Sequence, residues 1–551
     1  MTPTGPETGS RQTYVRTAAR ARMARVVTPG VLFLGTFVLV AATIPDYGLA
    51  WDEPWYFHAS DLKVQWLMNL SRNLLQGRMG DSLQDPVITR AWQFDPSHVP
   101  HPPFPRILSG ISKAVLWPLL DKFTAYRLPS ALFLALVVTA MYVWMTEVFD
   151  RATGLLSAAA VLLMPNLFGH AHFAMTDMPL AALWFLAAFA FWRGLGSWRW
   201  SVAFGVLWGF ALATKLPGFL LPIPLILWAH LFRRQQYANN VFTMMFVGPP
   251  VMVVCNPYLW HHGAARVAEF LYMNASRAVR PGTDFPIFFL NEYHRSATLP
   301  WYYGLMMTAL TVPETMLLLA VLGVGSVVWL GARREVVALF ALNAGFVLGM
   351  ALVPGAVLHD VNRLMLPVLP FLAGLAGAGF FSVTRCLVAW GQHARWARGI
   401  SHLRMKVVGA LCVLALVPPA LELVAHHPYE LSYYNRLVGG VRGAYAKGLE
   451  VTYLMEAFNP EFLKFLDKGL PGNAAINASF GNFMFMYYQR HGRLRTDIRI
   501  TEGADFDYYI LLNRPSAYPE DRMFLETRPV LHDGWYFRGV PLVFIFKARG
   551  G

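Results

Sequence analysis

Charge is scarce in this sequence. Only 14% of its 551 residues are Asp, Glu, Lys or Arg, where soluble domains carry about 25%. The shortfall is filled by hydrophobic residues, 56% of the chain, gathered in long runs. That excludes an ordinary soluble globule. Cysteine is scarcer still. Cys255, Cys386 and Cys412 are scattered, with no C-x-x-C pair, which excludes a disulfide framework. No internal repeat and no low-complexity tract stands out. The first apolar run lacks a small-residue cleavage site, so it reads as a retained helix rather than a cleaved signal peptide. Acids are outnumbered by bases, 32 to 46, for a net charge of +14. In a soluble protein that excess would suggest nucleic acid. In a membrane protein it bears on topology first, and no nucleic-acid partner is expected.

What the chain does have is helix-length apolar sequence. A span needs roughly 20 residues. Candidates are 26–45, 125–147, 153–173, 177–194, 200–214, 216–232, 239–256, 302–330, 335–353, 364–385 and 405–424, about eleven in all; the short ones near 200–232 could be a re-entrant pair. Arg11, Arg16, Arg20, Arg22 and Arg25 precede the first. With that tail cytoplasmic, alternate loops hold Arg151, then Arg193 and Arg199, Arg233 and Arg234, Arg333 and Arg334, and finally Arg385, Arg395, Arg398, Arg404 and Lys406. The positive-inside rule is met in one register throughout. The expected fold is mainly α: a polytopic helix bundle whose outer loops carry amphipathic helices, followed by a small α/β domain outside the membrane. Its divisions are a basic cytoplasmic tail (1–25), a transmembrane catalytic domain (26–425) and an extracytoplasmic domain (426–551). "DLKVQWLMNLSRNLLQGRM" and "GAARVAEFLYMNASRAV" are the outer-loop helices. In the last domain a helix is expected near "NPEFLKFLDKG", and strands at "AAINAS", "DYYILLN" and "PLVFIFKA".

This topology puts the conspicuous acids on one face. "LAWDEPWYFHAS" sets Asp52 and Glu53 at the outer end of the first span. Asp177, in "GHAHFAMTDMPLAALWF", lies at the outer turn before the fourth. Ionisable groups at membrane depth are functional candidates, although Asp177 could simply cap its helix. Bases reach the same face. Lys215 sits at the tip of a hairpin in "LATKLPGFLLP", where the alternative is a snorkelling lysine. His359, Asp360 and Arg363 precede the tenth span, and one helical turn would set His359 and Arg363 side by side. Lys215, His359 and Arg363 together could hold an anionic phosphate. His101, in "SHVPHPPFPRIL", is either a wall of the site or part of a stiff turn into a short helix. His170 and His172 could meet Asp177 with Asp52 or Glu53 around a hydrated Mg or Mn ion; zinc has little support, and in a helix the two imidazoles diverge.

The acidic pair after the first span, "HPP" in the same loop, "TDMPL", "ATKLPGFLL" and "HDVNRLMLPVLPFLAGL" resemble, in this order, the integral-membrane glycosyltransferases of the GT-C superfamily. The protein O-mannosyltransferase and lipid A aminoarabinose transferase group is the most similar. "HHPYELSYYNRLVGGVRGAYAKGLEVTY" looks like bacterial members of that group. The likeness runs from about residue 40 to 455; the segment 257–300 departs from it, which leaves the acceptor open. The resemblance implies a polyprenyl-phosphate sugar as donor and a lipid, glycan or protein acceptor. It also implies a first-loop acid, Asp52 or Glu53, as base, with Asp177 as the second acid and Lys215 and Arg363 on the donor phosphate.

Nucleotide sugars are confined to the cytoplasm, so a lipid-carried donor suits an outer-face site. Direct displacement needs one carboxylate to take the acceptor proton and cations for the departing phosphate. That is an inverting glycosyl transfer at the outer face of the cell (inner) membrane, with the N-terminus cytoplasmic. The rival readings are a transporter, which usually shows paired halves and midplane charges, and an envelope-assembly scaffold without transferase activity.

Overall fold

The computed structural model describes residues 8–93, 101–277, 284–393, 403–478 and 481–548. The apolar segments expected to span are all helical there. Arg395 and Arg398 lie outside the described residues.

Among the described residues, five helices are long and apolar enough to cross a bilayer: Val26–Asp46, Lys122–Val148, Ala238–Cys255, Val368–Gly391 and Arg404–His426. A sixth crossing arises if the pair Tyr303–Thr311 and Glu314–Val328, bent by 117°, is one broken span. The expected count of about eleven is thus not met by length and composition alone. Proline explains several of the breaks. Pro165 stops the segment 153–173 after Arg151–Leu162, and Pro313 bends 302–330. The protein is nonetheless a polytopic membrane helix bundle.

Burial separates inner helices from outer ones. Lys122–Val148 and Val368–Gly391 are mostly enclosed, whereas Val26–Asp46 and Arg404–His426 are mostly exposed. The exposed faces carry Leu34, Val38, Leu414 and Val424, the surface a bilayer would cover. Glycine lets two of the inner helices touch: Gly323 faces the carbonyl of Leu375, and Gly379 faces that of Leu319. A Cβ at either position would overlap backbone, the small-residue packing familiar in membranes.

The loop after the first span folds as expected into helices. In Glu53–Leu75, Trp66 packs with Ile88 and Trp92, while Met68 and Leu74 face outward. Gly263–Ala275 buries no side chain. A small antiparallel pair follows, β1 (Ile287–Phe289) and β2 (Glu292–His294). The C-terminal region holds a mixed five-stranded sheet made of β3 (Ala475–Asn477), β4 (Arg499–Ile500), β5 (Tyr508–Leu512), β6 (Val530–Phe537) and β7 (Val540–Lys547). Its order is β4-β3-β5-β7-β6, parallel at the first two pairings and antiparallel at the rest. The expected helix is Pro460–Gly469, capped by the Asn459 side chain on Phe462 N–H at 2.9 Å. The sheet core is continuous with Leu49, Phe57, Phe123 and Tyr126, which flank the starts of the helices Glu53–Leu75 and Lys122–Val148.

Candidate active site

Two adjacent residues, Asp52 and Glu53, point to different partners. Asp52 precedes the helix Glu53–Leu75 and Glu53 is its first residue, so their side chains diverge by about 100° around the helix axis. Glu53 is fully buried. Arg127 grips it through Nε–H to Oε1 at 2.8 Å and Nη2–H to Oε2 at 2.5 Å. The backbone N–H groups of Ala50 and Ala174 complete its shell at 2.9 and 2.8 Å. Arg127 also donates to the carbonyl of Gly48 at 2.6 Å. Both carboxylate oxygens are committed, so Glu53 ties three segments together and has no face toward a substrate.

Asp52 faces the other way. Its Oδ2 accepts from Arg363 Nη2 at 3.0 Å. The same guanidinium donates through Nε to Asp177 at 2.9 Å and through Nη1 to Asp360 at 2.9 Å. Asp177 also receives Lys215 Nζ at 2.7 Å. Asp52 and Asp177 thus meet on one arginine from residues far apart in sequence. Asp177 does not cap its helix: the N-cap is Thr176, with no side-chain capping bond. Lys215 is buried rather than snorkelling. It is extended at the end of the helix Trp198–Leu212, where the turn closes with Gly218 N–H on its carbonyl at 2.9 Å.

The segment before Val368–His393 is not the helical turn expected for His359 and Arg363. Asp360 and Val361 both have positive φ, 60° and 58°. Aspartate tolerates this region; a β-branched valine does not do so readily, and each such residue costs about 1–3 kcal/mol. The strain is held by neighbours. Tyr303 OH donates to the Val361 carbonyl at 3.4 Å, and Asn362 Nδ2 donates to Thr311 Oγ1 at 2.6 Å. His359 lies beside Asp360, its Nε2 3.6 Å from Oδ2.

The three carboxylates differ in exposure. The Asp52 side chain is 25% exposed, Asp177 2% and Asp360 5%. Among the described residues, Asp52 Oδ1 has no partner. Burial raises the Asp52 pKa; Arg363 opposes the rise, and the nearby negative charges of Asp360 and Asp177 add to it. Burial also works against the charge of Asp360, but His359, Arg514 and Arg363 outweigh it and hold that carboxyl below the usual range.

The histidines do not gather. His172 is enclosed between Phe168 O and Thr43 Oγ1, both 2.8 Å from its ring nitrogens, and stacks on Tyr47. His170 Nδ1–H donates to Asn166 O at 2.8 Å, and among the described residues its buried Nε2 has no partner. His101 sits in the turn before Phe104–Leu116, where its carbonyl accepts from Arg106 at 3.0 Å. Among the described residues no three His, Cys, Asp or Glu side chains are grouped to hold a metal. The donor set considered from sequence fails for a physical reason. Glu53 belongs to Arg127, His172 to Thr43 and Phe168, and Asp52 and Asp177 each already face a cation.

Residues 100–261 match the family model described as dolichyl-phosphate-mannose-protein mannosyltransferase. The GT-C resemblance stands on that match. The matched segment contains Arg127, Asp177 and Lys215, but not Asp52, Asp360 or Arg363. No curated protein sequence matches the chain. Among solved structures, ArnT from Cupriavidus metallidurans bound to undecaprenyl phosphate aligns over 94% of this chain and 98% of its own, at 15% identity and TM-score 0.48. The Archaeoglobus fulgidus oligosaccharyltransferase AglB, in complex with an inhibitory peptide and a dolichol-phosphate, aligns over 87% of this chain and 69% of its own, at 11% identity and TM-score 0.45. The same organism's oligosaccharyltransferase in complex with Zn and sulfate covers 87% and 68%, at 11% identity and TM-score 0.46.

Sequence reasoning missed Arg127, which lies inside an apolar helix with no charge pattern around it. It also missed Arg514, whose Nη2 reaches Asp360 Oδ1 at 2.8 Å across 154 residues of sequence.

Proposed function

We propose that this protein is a glycosyltransferase that moves a sugar from a polyprenyl-phosphate donor to an acceptor at the extracytoplasmic face. The observation that carries the reading is the convergence of Asp52, Asp177 and Asp360 on Arg363, with Asp52 alone keeping a substantially exposed carboxylate. Asp52 Oδ1 takes the proton of the acceptor group as that group's oxygen attacks the anomeric carbon. The bond from that carbon to the phosphate oxygen breaks, and its electron pair leaves on the phosphate. The outcome is inversion at the sugar. Arg363 directs three of its five N–H donors to carboxylates, and Lys215 one of its three. The remaining donors are available to a phosphate, and His359 borders the same place. Asp177 and Asp360 hold the guanidinium in register.

In this reading Glu53 is a structural pin, and His101 and His172 serve packing. His170 keeps a buried, open nitrogen that suits a substrate hydroxyl. A Mg or Mn ion has no vacant carboxylate pair as the side chains stand, so the reaction is assigned to the protein's own cations. A cytoplasmic N-terminus in the inner membrane places the Arg363 cluster outside, where a lipid-linked donor is the available one. The family match over 100–261 supports the transferase class; the sugar and the acceptor rest on chemistry alone.

The test is turnover of a polyprenyl-phosphate sugar by purified protein, read as release of polyprenyl phosphate. Folded Asp52→Asn protein that retains wild-type turnover would sink the assignment of the base.

A further inference from the structure

The C-terminal region does more than pack beside the membrane part. It reaches the segment leading to Asp52 and the Arg363 cluster at four places. Leu454 carbonyl accepts from Trp51 N–H at 2.9 Å, directly beside Asp52. Tyr488 OH accepts from Leu49 N–H at 2.6 Å. Gly48 lies against the carbonyl of Phe458, leaving no room for a side chain. The fourth contact is ionic. Arg514, just past β5, donates to Asp360 Oδ1 at 2.8 Å, to the Tyr453 carbonyl at 2.7 Å and to Ser516 Oγ at 3.1 Å. Ser516 N–H is in turn held by Glu450 Oε1 at 2.9 Å. The Arg514 side chain is 15% exposed and Asp360 is 5% exposed.

Asp360 is therefore shared. One oxygen serves Arg363 and the other Arg514, and its backbone is one of two consecutive residues in the left-handed region. A strained loop needs outside constraint to persist. Arg514 is placed to supply it, and to set how strongly Asp360 draws Arg363 away from Asp52.

We infer that Arg514 is a positioning residue for the transfer: it clamps the 359–363 loop through Asp360 and so fixes Arg363 between Asp52 and Asp177. This rests on the glycosyltransferase reading above. The C-terminal region is then part of the active unit rather than an appended module. Removing Arg514 leaves Asp360 with Arg363 as its main charged partner. Arg363 is drawn toward Asp360, and Asp52 keeps less of its compensating charge. The other groups that bear on Asp52 or share its surroundings are Asp177, Asp360, Tyr56 and Arg277.

The experiment compares wild type, Arg514→Ala and Arg514→Lys, as full-length protein in detergent, by donor turnover across pH and by hydrogen exchange. For Arg514→Ala we expect kcat to fall roughly ten- to thirty-fold with a smaller change in donor KM. The acid limb of its rate profile moves to higher pH, and exchange quickens across 354–366. Arg514→Lys keeps the charge but not the three-way hydrogen bonding, and should recover part of each. A purely structural role would lower the yield of active protein without moving the pH profile of what remains. An Arg514→Ala protein with wild-type kcat, pH profile and exchange at 354–366 overturns the inference. If wild type turns over no polyprenyl-phosphate sugar, the functional reading fails by itself. Quickened exchange at 354–366 in Arg514→Ala would then still establish the clamp, and unchanged exchange would overturn it.

Discussion

Asp52 and Glu53 are neighbours in the chain and opposites in the fold. Glu53 lies in a closed shell of Arg127 and backbone N–H groups, with no solvent access. Asp52 lies in a shared shell, its arginine divided among three carboxylates and one of its oxygens open. The closed arrangement fixes the shape of the loop after the first span. The open one keeps donor and acceptor capacity that a substrate could use. The difference teaches that a buried ion pair becomes a candidate site when its hydrogen-bonding capacity is left incomplete. Burial alone does not distinguish the two, since Asp177 and Asp360 are nearly as enclosed as Glu53.

The sharpest way to break the comparison is to open the closed side. Glu53→Ala leaves Arg127 buried without its carboxylate, a change that costs about 3–5 kcal/mol. We expect most of the protein to be lost from the membrane fraction, with a lower melting temperature in what survives. A Glu53→Ala protein with normal yield and melting temperature, but no turnover, would reverse the roles assigned here.

Next comes Asp52→Asn, which removes the base while keeping the shape. The expected loss in kcat is about 10²–10⁴-fold, with yield close to wild type because the side chain is partly exposed. Product analysis sharpens it: residual product should keep the inverted configuration.

The pH dependence is subtler. Asp52 must be ionised to accept a proton. Its pKa is raised in the folded protein, first by burial and further by Asp360 and Asp177, with Arg363 opposing. Turnover should therefore fall as pH drops through a value above that of a free aspartate, about 3.9. The sign for stability is the reverse of the common carboxylate case. A raised folded pKa means that Asp52 gains a proton more easily when folded, so its own contribution improves as pH falls. Acid should slow the enzyme while protonation of Asp52 itself favours the folded state. An acid limb below that of a free aspartate, which disappears in Asp52→Asn, would point to a carboxylate held low by its neighbours, as Asp360 is.

How much of this could be read from sequence follows the same division. The positive-inside pattern placed Asp52, Asp177, Lys215 and Arg363 on one face, because topology depends on local composition. The helices and strands expected in the C-terminal region were legible from apolar runs and an Asn-Pro helix start. The partners were not. Arg127 for Glu53 and Arg514 for Asp360 are contacts across 74 and 154 residues, and periodicity carries no information at that range. The left-handed turn at Asp360 and Val361 was also hidden, since nothing in "HDVNR" requires it. Proline breaks were visible one by one, but not their effect on the number of full-length spans.

The smallest expected effect concerns a second acid–base cluster that the proposed reaction does not use. His427, just past the last span, sits 2.9 Å from Glu430 Oε1 and 3.0 Å from Asp46 Oδ2. Tyr47 OH holds the other Glu430 oxygen at 2.5 Å. Burial alone would lower the His427 pKa, but hydrogen bonds and charge from Glu430, then Asp46, outweigh it and raise the pKa to about 9. A raised folded pKa means that the protonated ring is favoured in the folded state. Its stabilisation is complete below about 6.5, the value in an unfolded chain, and is lost as pH rises through about 9. Because the side chain is partly solvated, the loss should amount to about 1 kcal/mol. Melting curves between pH 6 and 10 should show wild type losing a few degrees relative to His427→Gln. Parallel curves for the two proteins would mean that His427 contributes packing alone and is no charged latch.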